Sequence, residues 1–152
     1  MWLVLPTIFI FALIIWRMPK TLSVPVYFMT SLMNIIVQLM TDIYLQFGFH
    51  SYGYFNPHYL DPRAWLFFFI IYPAVNVVFI NFIDYRSGLL YKILYITGWS
   101  LFATGYEWVT LKAGAFYYIH WKLLYSAMIY PFLYIMLWTN LLIARKILSR
   151  QR

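Results

Sequence analysis

The sequence predicts an all-α, polytopic transmembrane helix bundle of about five spans, with the N-terminus outside and the C-terminus cytoplasmic. Three observations predict it. Apolar residues make up 64% of the 152-residue chain and charged residues only 10%, too few polar side chains for a soluble domain of this size to cover itself. The apolar residues come in long runs rather than in strict alternation, which points to helices and away from a membrane barrel. Lys and Arg gather in alternate connections between those runs, the bias that sets orientation in a bilayer. The length suits one integral membrane domain over 1–152.

The first run, 2–16, is closed by Arg17 and Lys20. It has no basic leader and no small-x-small cleavage pattern, so it reads as a retained first helix rather than a signal peptide. Its length falls just under the roughly 17–25 residues of a full span. The second span, 23–47, has Pro25 near its start, where proline is tolerated. Along it Ser31, Asn34, Gln38 and Thr41-Asp42 recur at i, i+3, i+7 and i+10/i+11, a stripe that at bilayer depth must face protein or water. Gly, Pro and Asn mark 48–62 as a loop, and its tyrosines suit the membrane interface.

The third span covers 64–83. Pro73 is expected to kink it, with Asn76 satisfying groups freed by the kink. A short turn at 84–88 leads into the fourth span, 91–112, which Gly114 can end. Thr97, Ser100, Thr104 and Glu107 lie at i, i+3, i+7 and i+10 along it, again one helical face. An aromatic re-entry segment, 115–120, precedes the fifth span, 121–143, which contains Pro131 and runs into a basic tail ending at Arg152. Trp2, Trp16, Trp65, Trp108 and Trp121 fall at span ends, as an aromatic belt would. Gly98 and Gly105 would permit close helix approach. There is no internal repeat or low-complexity tract.

For orientation, one set of connections holds Arg17, Lys20, Arg86, Lys92, Arg145, Lys146, Arg150 and Arg152; the other holds Arg63, Lys112 and Lys122. The richer set belongs in the cytoplasm, and an odd number of spans gives that split. The net charge of +7 therefore speaks for anionic lipid headgroups as the nearest partners. A nucleic-acid partner is not expected, because no basic stripe sits on a soluble domain. The absence of cysteine excludes disulfides, thiolate metal sites and a cysteine nucleophile. His50, His58 and His120 show no compact ligand spacing, and there is no phosphate loop or nucleophile elbow, so no metal or cofactor is assigned.

The candidate site rests on two acids. Asp42 lies five positions before Phe47 and Glu107, the one glutamate, five before Lys112. At ~1.5 Å per residue both sit about 7 Å below the outer helix end. Two carboxylates at equal depth, each closing a polar stripe, suggest an outward-facing pocket built from the second and fourth helices. Its candidate binding residues are Glu107, Asp42, Gln38, Asn34, Thr104, Ser100 and His120. A proton, a metal ion or an amine would suit such a pair. Against this stands a plainer account. Ser31, Asn34, Gln38, Thr97, Ser100 and Thr104 would then be hydrogen-bonding glue between helices, and the acids ion-pair partners of Arg63, Lys112 or a histidine.

The segment Glu107-Trp108, Lys112-x-Gly114, Tyr118, Trp121-Lys122 and Ser126 resembles a small, uncharacterised multi-pass membrane protein family of endospore-forming Firmicutes. The similarity is clearest from Gly105 to Tyr130. It implies a plasma-membrane protein of a Gram-positive cell and brings no activity, ligand or cofactor with it. The functional expectation is a small binding, sensing or transport-accessory protein, as a homo-oligomer or within a larger membrane complex. The alternatives are a membrane-embedded enzyme acting on a lipid or isoprenoid, with Glu107 as acid or base assisted by His120 or His50, and a structural subunit.

Overall fold

The computed structural model describes residues 2–56, 59 and 61–150. Five α-helices are found among them: α1 Val4–Arg17, α2 Val24–Ile43, α3 Tyr72–Phe82, α4 Leu89–Lys112 and α5 Leu123–Ser149. Three continuous helical stretches are long and apolar enough to cross a bilayer: Val24–Gly48, Pro62–Phe82 and Leu123–Ser149. The chain is a membrane protein. Its outward faces carry Phe9, Phe28, Leu94, Leu101 and Phe132 exposed, an arrangement suited to lipid and not to water. α1 has 14 residues and at ~1.5 Å per residue falls short of a ~30 Å hydrocarbon core. α4 has 24, but Thr97, Ser100, Thr104, Glu107 and Thr110 dilute its apolar character.

Two stretches open from α-helical geometry into π turns. Pro73 has no backbone N–H to donate, and just before it Phe67–Ile71 widens into a π turn in which the Tyr72 N–H donates to the Phe67 carbonyl. The expected kink is taken up in this wide turn. The part assigned to Asn76 was wrong, because its amide makes no hydrogen bond among the described residues and its Nδ2 is buried. α2 likewise opens into a π turn over Tyr44–Gly48, closed by the Phe49 N–H donating to the Tyr44 carbonyl at 3.0 Å. α4 ends where Gly114 takes φ 68°, a left-handed cap that glycine adopts without strain.

The bundle is not wholly helical. Strand β1 (Tyr52–Tyr54) and strand β2 (Phe116–Tyr118) pair antiparallel in the register Tyr52 with Tyr118, Gly53 with Tyr117 and Tyr54 with Phe116. Three residues of the expected 48–62 loop and three of the 115–120 re-entry segment are thus paired as one small sheet. The sheet is lengthened by Ser51, whose carbonyl accepts from the Ile119 and His120 N–H groups. Gly53 is required by the close approach of the strands: a Cβ there would run into the Tyr117 ring.

The sheet ties the α2–α3 and α4–α5 connections together at one end of the bundle. At the other end Thr21 donates through its hydroxyl to the Asn81 carbonyl at 2.9 Å, and the Arg145 guanidinium lies 3.7 Å from the centre of the Tyr85 ring. α5 packs against both α2 and α4. The core between them centres on the buried Phe79, Ile80, Tyr134, Leu137 and Leu141. A second cluster under the sheet joins Val4, Tyr52, Tyr54, Phe67 and Phe68.

Candidate functional site

Beneath the sheet lies a cavity of about 130 Å³ whose lining includes Asp42, Glu107, Gln38 and a set of aromatic side chains. Asp42 sits near the end of α2 and Glu107 near the end of α4, so the parallel course of these helices brings the two acids to one level. Both are buried. Asp42 Oδ1 accepts from the Tyr52 hydroxyl at 2.5 Å and the Tyr54 hydroxyl at 3.3 Å; Tyr54 in turn shares a 2.5 Å hydroxyl contact with Tyr72. Glu107 Oε1 accepts from Tyr118 and, at 2.7 Å, from Ser126; its Oε2 accepts from Tyr130. The Trp121 indole N–H donates to the Ser126 oxygen at 2.8 Å. Asp42 Oδ2 takes no hydrogen bond among the described residues.

Every donor named here is a neutral hydroxyl or indole. Burial, and then the Asp42 carboxylate, push the Tyr52 phenol far above its ordinary value; burial and Asp42 do the same for Tyr54. The Tyr118 phenol is raised by burial and by its bond to Glu107. These phenols therefore stay protonated and donate. No Lys, Arg or His lines the cavity among the described residues, and the one salt bridge among them joins Arg63 to Asp61. There the guanidinium donates to both carboxylate oxygens, and with the Arg63 backbone N–H it holds the Asp61 carboxyl down to about 2. The plainer account, in which the two acids pair with Arg63, Lys112 or a histidine, was wrong for Arg63, Lys112, His50 and His120; His58 lies outside the described residues. Arg63 is engaged beside its own helix start, and Lys112 and His120 are exposed.

The other candidate residues divide. Gln38 lines the cavity and also a second one of about 80 Å³ immediately beside it, which Asn34 and Asn76 share. Asn34 donates to the Thr30 carbonyl at 2.7 Å and accepts from Asn140 at 3.3 Å. Ser100 and Thr104 line neither cavity: each hydroxyl donates at 2.8 Å to a carbonyl one turn back in α4, Ile96 and Ser100 respectively. The stripes of α2 and α4 do not simply face each other. At about 100° per residue, ten residues carry Glu107 some 80° round from Thr97, so Thr97 is exposed while Glu107 is buried. His120 and His50 are exposed and line neither cavity. His58, Gln151 and Arg152 lie outside the described residues.

Sequence reasoning missed the residues that complete the site. Tyr52, Tyr54, Tyr72, Tyr106 and Tyr130 were read as interface aromatics or passed over, and Trp121 as part of the belt. Tyr106 donates to Thr7 at 3.1 Å, which brings α1 to the rim. The available signal was the number of tyrosines, 15 in all, more than span ends need. Two carboxylates with a fringe of phenols and an indole can bind a cation by charge and by ring faces; among the described residues no third His, Cys, Asp or Glu joins them as a metal donor set. No family model, curated protein or solved structure matches the chain.

Proposed function

We propose that this is a small multi-pass plasma-membrane protein whose outer cavity binds a small organic ammonium ion. The observation that carries the reading is the composition of the cavity wall, with two buried carboxylates and no basic side chain among the described residues. A buried carboxylate without a counter-charge is costly by several kcal/mol, and a bound cation removes that cost for both. The rings around them add attraction of about 2 kcal/mol or more once water is displaced. The volume of about 130 Å³ lies well below the roughly 300–1,000 Å³ of sites for drug-sized molecules, so the ligand is small. In the same proposal five helices cross the plasma membrane with the cavity beneath the outer leaflet. The bias of basic residues supports the orientation, and the likeness of the Gly105–Tyr130 segment to a Gram-positive family supports the membrane.

The test is calorimetric titration of the detergent-purified protein with methylammonium, tetramethylammonium and butylammonium chlorides against sodium chloride. At least one ammonium is expected to bind in preference to sodium. Asp42→Asn and Glu107→Gln, checked for folding by gel filtration, are each expected to weaken it about tenfold or more, roughly 1.4 kcal/mol. An ammonium affinity that neither substitution changes, or no ammonium binding at all, overturns the proposal.

A further inference from the structure

The inner cavity differs from the outer one in a way that selects among ammonium ions. The two share Gln38, Tyr72, Tyr106, Tyr130 and Leu133 as common wall, so they lie side by side, and one ligand filling both would reach across that wall. In the inner cavity Asn76 is only 4% exposed, and its amide makes no hydrogen bond among the described residues. Gln38 is half-buried, and its Oε1 is a buried atom without a partner among the described residues. Buried amides left without partners cost free energy that a polar occupant recovers. Each amide offers a donor and an acceptor whichever way it is turned. No carboxylate, Lys, Arg or His lines this inner space among the described residues, so a second charge would find no counter-charge there.

We infer that the ligand is a free monocation with a neutral hydroxyl or carboxamide group at its far end, the ammonium between Asp42 and Glu107 and the neutral group between Gln38 and Asn76. The inference rests on the ammonium-binding reading of the outer cavity and goes further by assigning the ligand's second functional group. Diamines and amino acids are disfavoured because their second charge enters an uncharged chamber. A phospholipid headgroup is disfavoured because its phosphodiester would stand beside two carboxylates with no basic residue in the lining.

The experiment compares n-alkylammonium ions with ω-hydroxyalkylammonium ions in which the terminal methyl is replaced by hydroxyl, for chains of increasing length. Binding is measured by calorimetry on the full chain in lipid-free detergent. At one chain length the hydroxyl compound is expected to bind at least about tenfold tighter than its methyl counterpart. Asn76→Leu is expected to cut the hydroxyl compound's advantage over its methyl counterpart to less than about twofold, and an advantage that survives overturns the inference; Gln38→Leu, read by the same ratio, serves if the first variant does not fold. Methyl compounds that bind as well as hydroxyl compounds at every length overturn the inference and leave the outer ammonium site standing. A diamine or amino acid that binds tighter than the hydroxyl compound overturns it too. Failure of every ammonium overturns the outer site itself. Repeating the titration in phosphatidylglycerol nanodiscs with and without phosphatidylethanolamine tests the source: unchanged affinity is expected, and competition by phosphatidylethanolamine would assign the site to a lipid headgroup and overturn the free-solute assignment.

Discussion

Glu107 accepts from three side-chain donors and Asp42 from two, and both of Asp42's bonds go to Oδ1, so its Oδ2 is the one carboxylate oxygen of the pair without a hydrogen bond among the described residues. Both acids could be found in the sequence because an acid inside a long apolar run has few neutral explanations. Their partners could not, because tyrosine is as common at a membrane interface as in a polar cavity. Which phenol turns inward depends on how the strands pair, and Gly53 lets them pair with the Tyr117 ring lying over it. Adding a methyl there displaces the Tyr117 ring, whose hydroxyl donates to the Asn56 carbonyl at 2.8 Å. Gly53→Ala is expected to cost about 1–2 kcal/mol in chemical denaturation, from overpacking and the lost bond. In a Tyr117→Ala background the same change should be nearly neutral. Equal costs in both backgrounds would show that the two side chains are not coupled.

At the scale of elements, the long helices were legible and the sheet was not. α2 and α5 announce themselves as apolar runs, and Gly114 marks the end of α4. Strands of three residues show no alternation to read, and β1 and β2 lie more than 60 residues apart, so only the folded bundle brings them together. The polar stripe of α4 misled for a related reason. Spacing reports a face, but not what that face meets. Ser100 and Thr104 turn their hydroxyls back on their own helix, whereas Ser126, on α5, both donates to Glu107 and accepts from Trp121. Ser126→Ala should therefore lower stability by about 1–3 kcal/mol, as the Trp121 N–H and one Glu107 oxygen each lose a partner. Ser100→Ala and Thr104→Ala should stay within about 0.5 kcal/mol. Thermal unfolding in detergent separates the two cases, and a larger loss at Ser100 than at Ser126 would contradict the assignment of α5 to the site.

For the whole molecule, the contacts sort the connections into two ends. The sheet joins Tyr52–Tyr54 with Phe116–Tyr118, while Thr21, Asn81, Tyr85 and Arg145 bring 18–23, 84–88 and the end of α5 together. Among the described residues Arg17, Lys20, Arg86, Lys92, Lys146 and Arg150 belong to this second end, and only Arg63, Lys112 and Lys122 to the first. This end-to-end asymmetry of basic residues supports the proposed orientation, in which the second end faces the cytoplasm and the sheet faces out. The chain has no cysteine, so single cysteines report position without background. An impermeant maleimide applied to intact cells should label His120→Cys, next to the sheet, and leave Lys20→Cys and Lys146→Cys unlabelled until the cells are opened. Labelling of Lys20→Cys or Lys146→Cys from outside, with His120→Cys protected, would invert the orientation. The cavity would then open toward the cytoplasm, and its ammonium would have to be an intracellular solute.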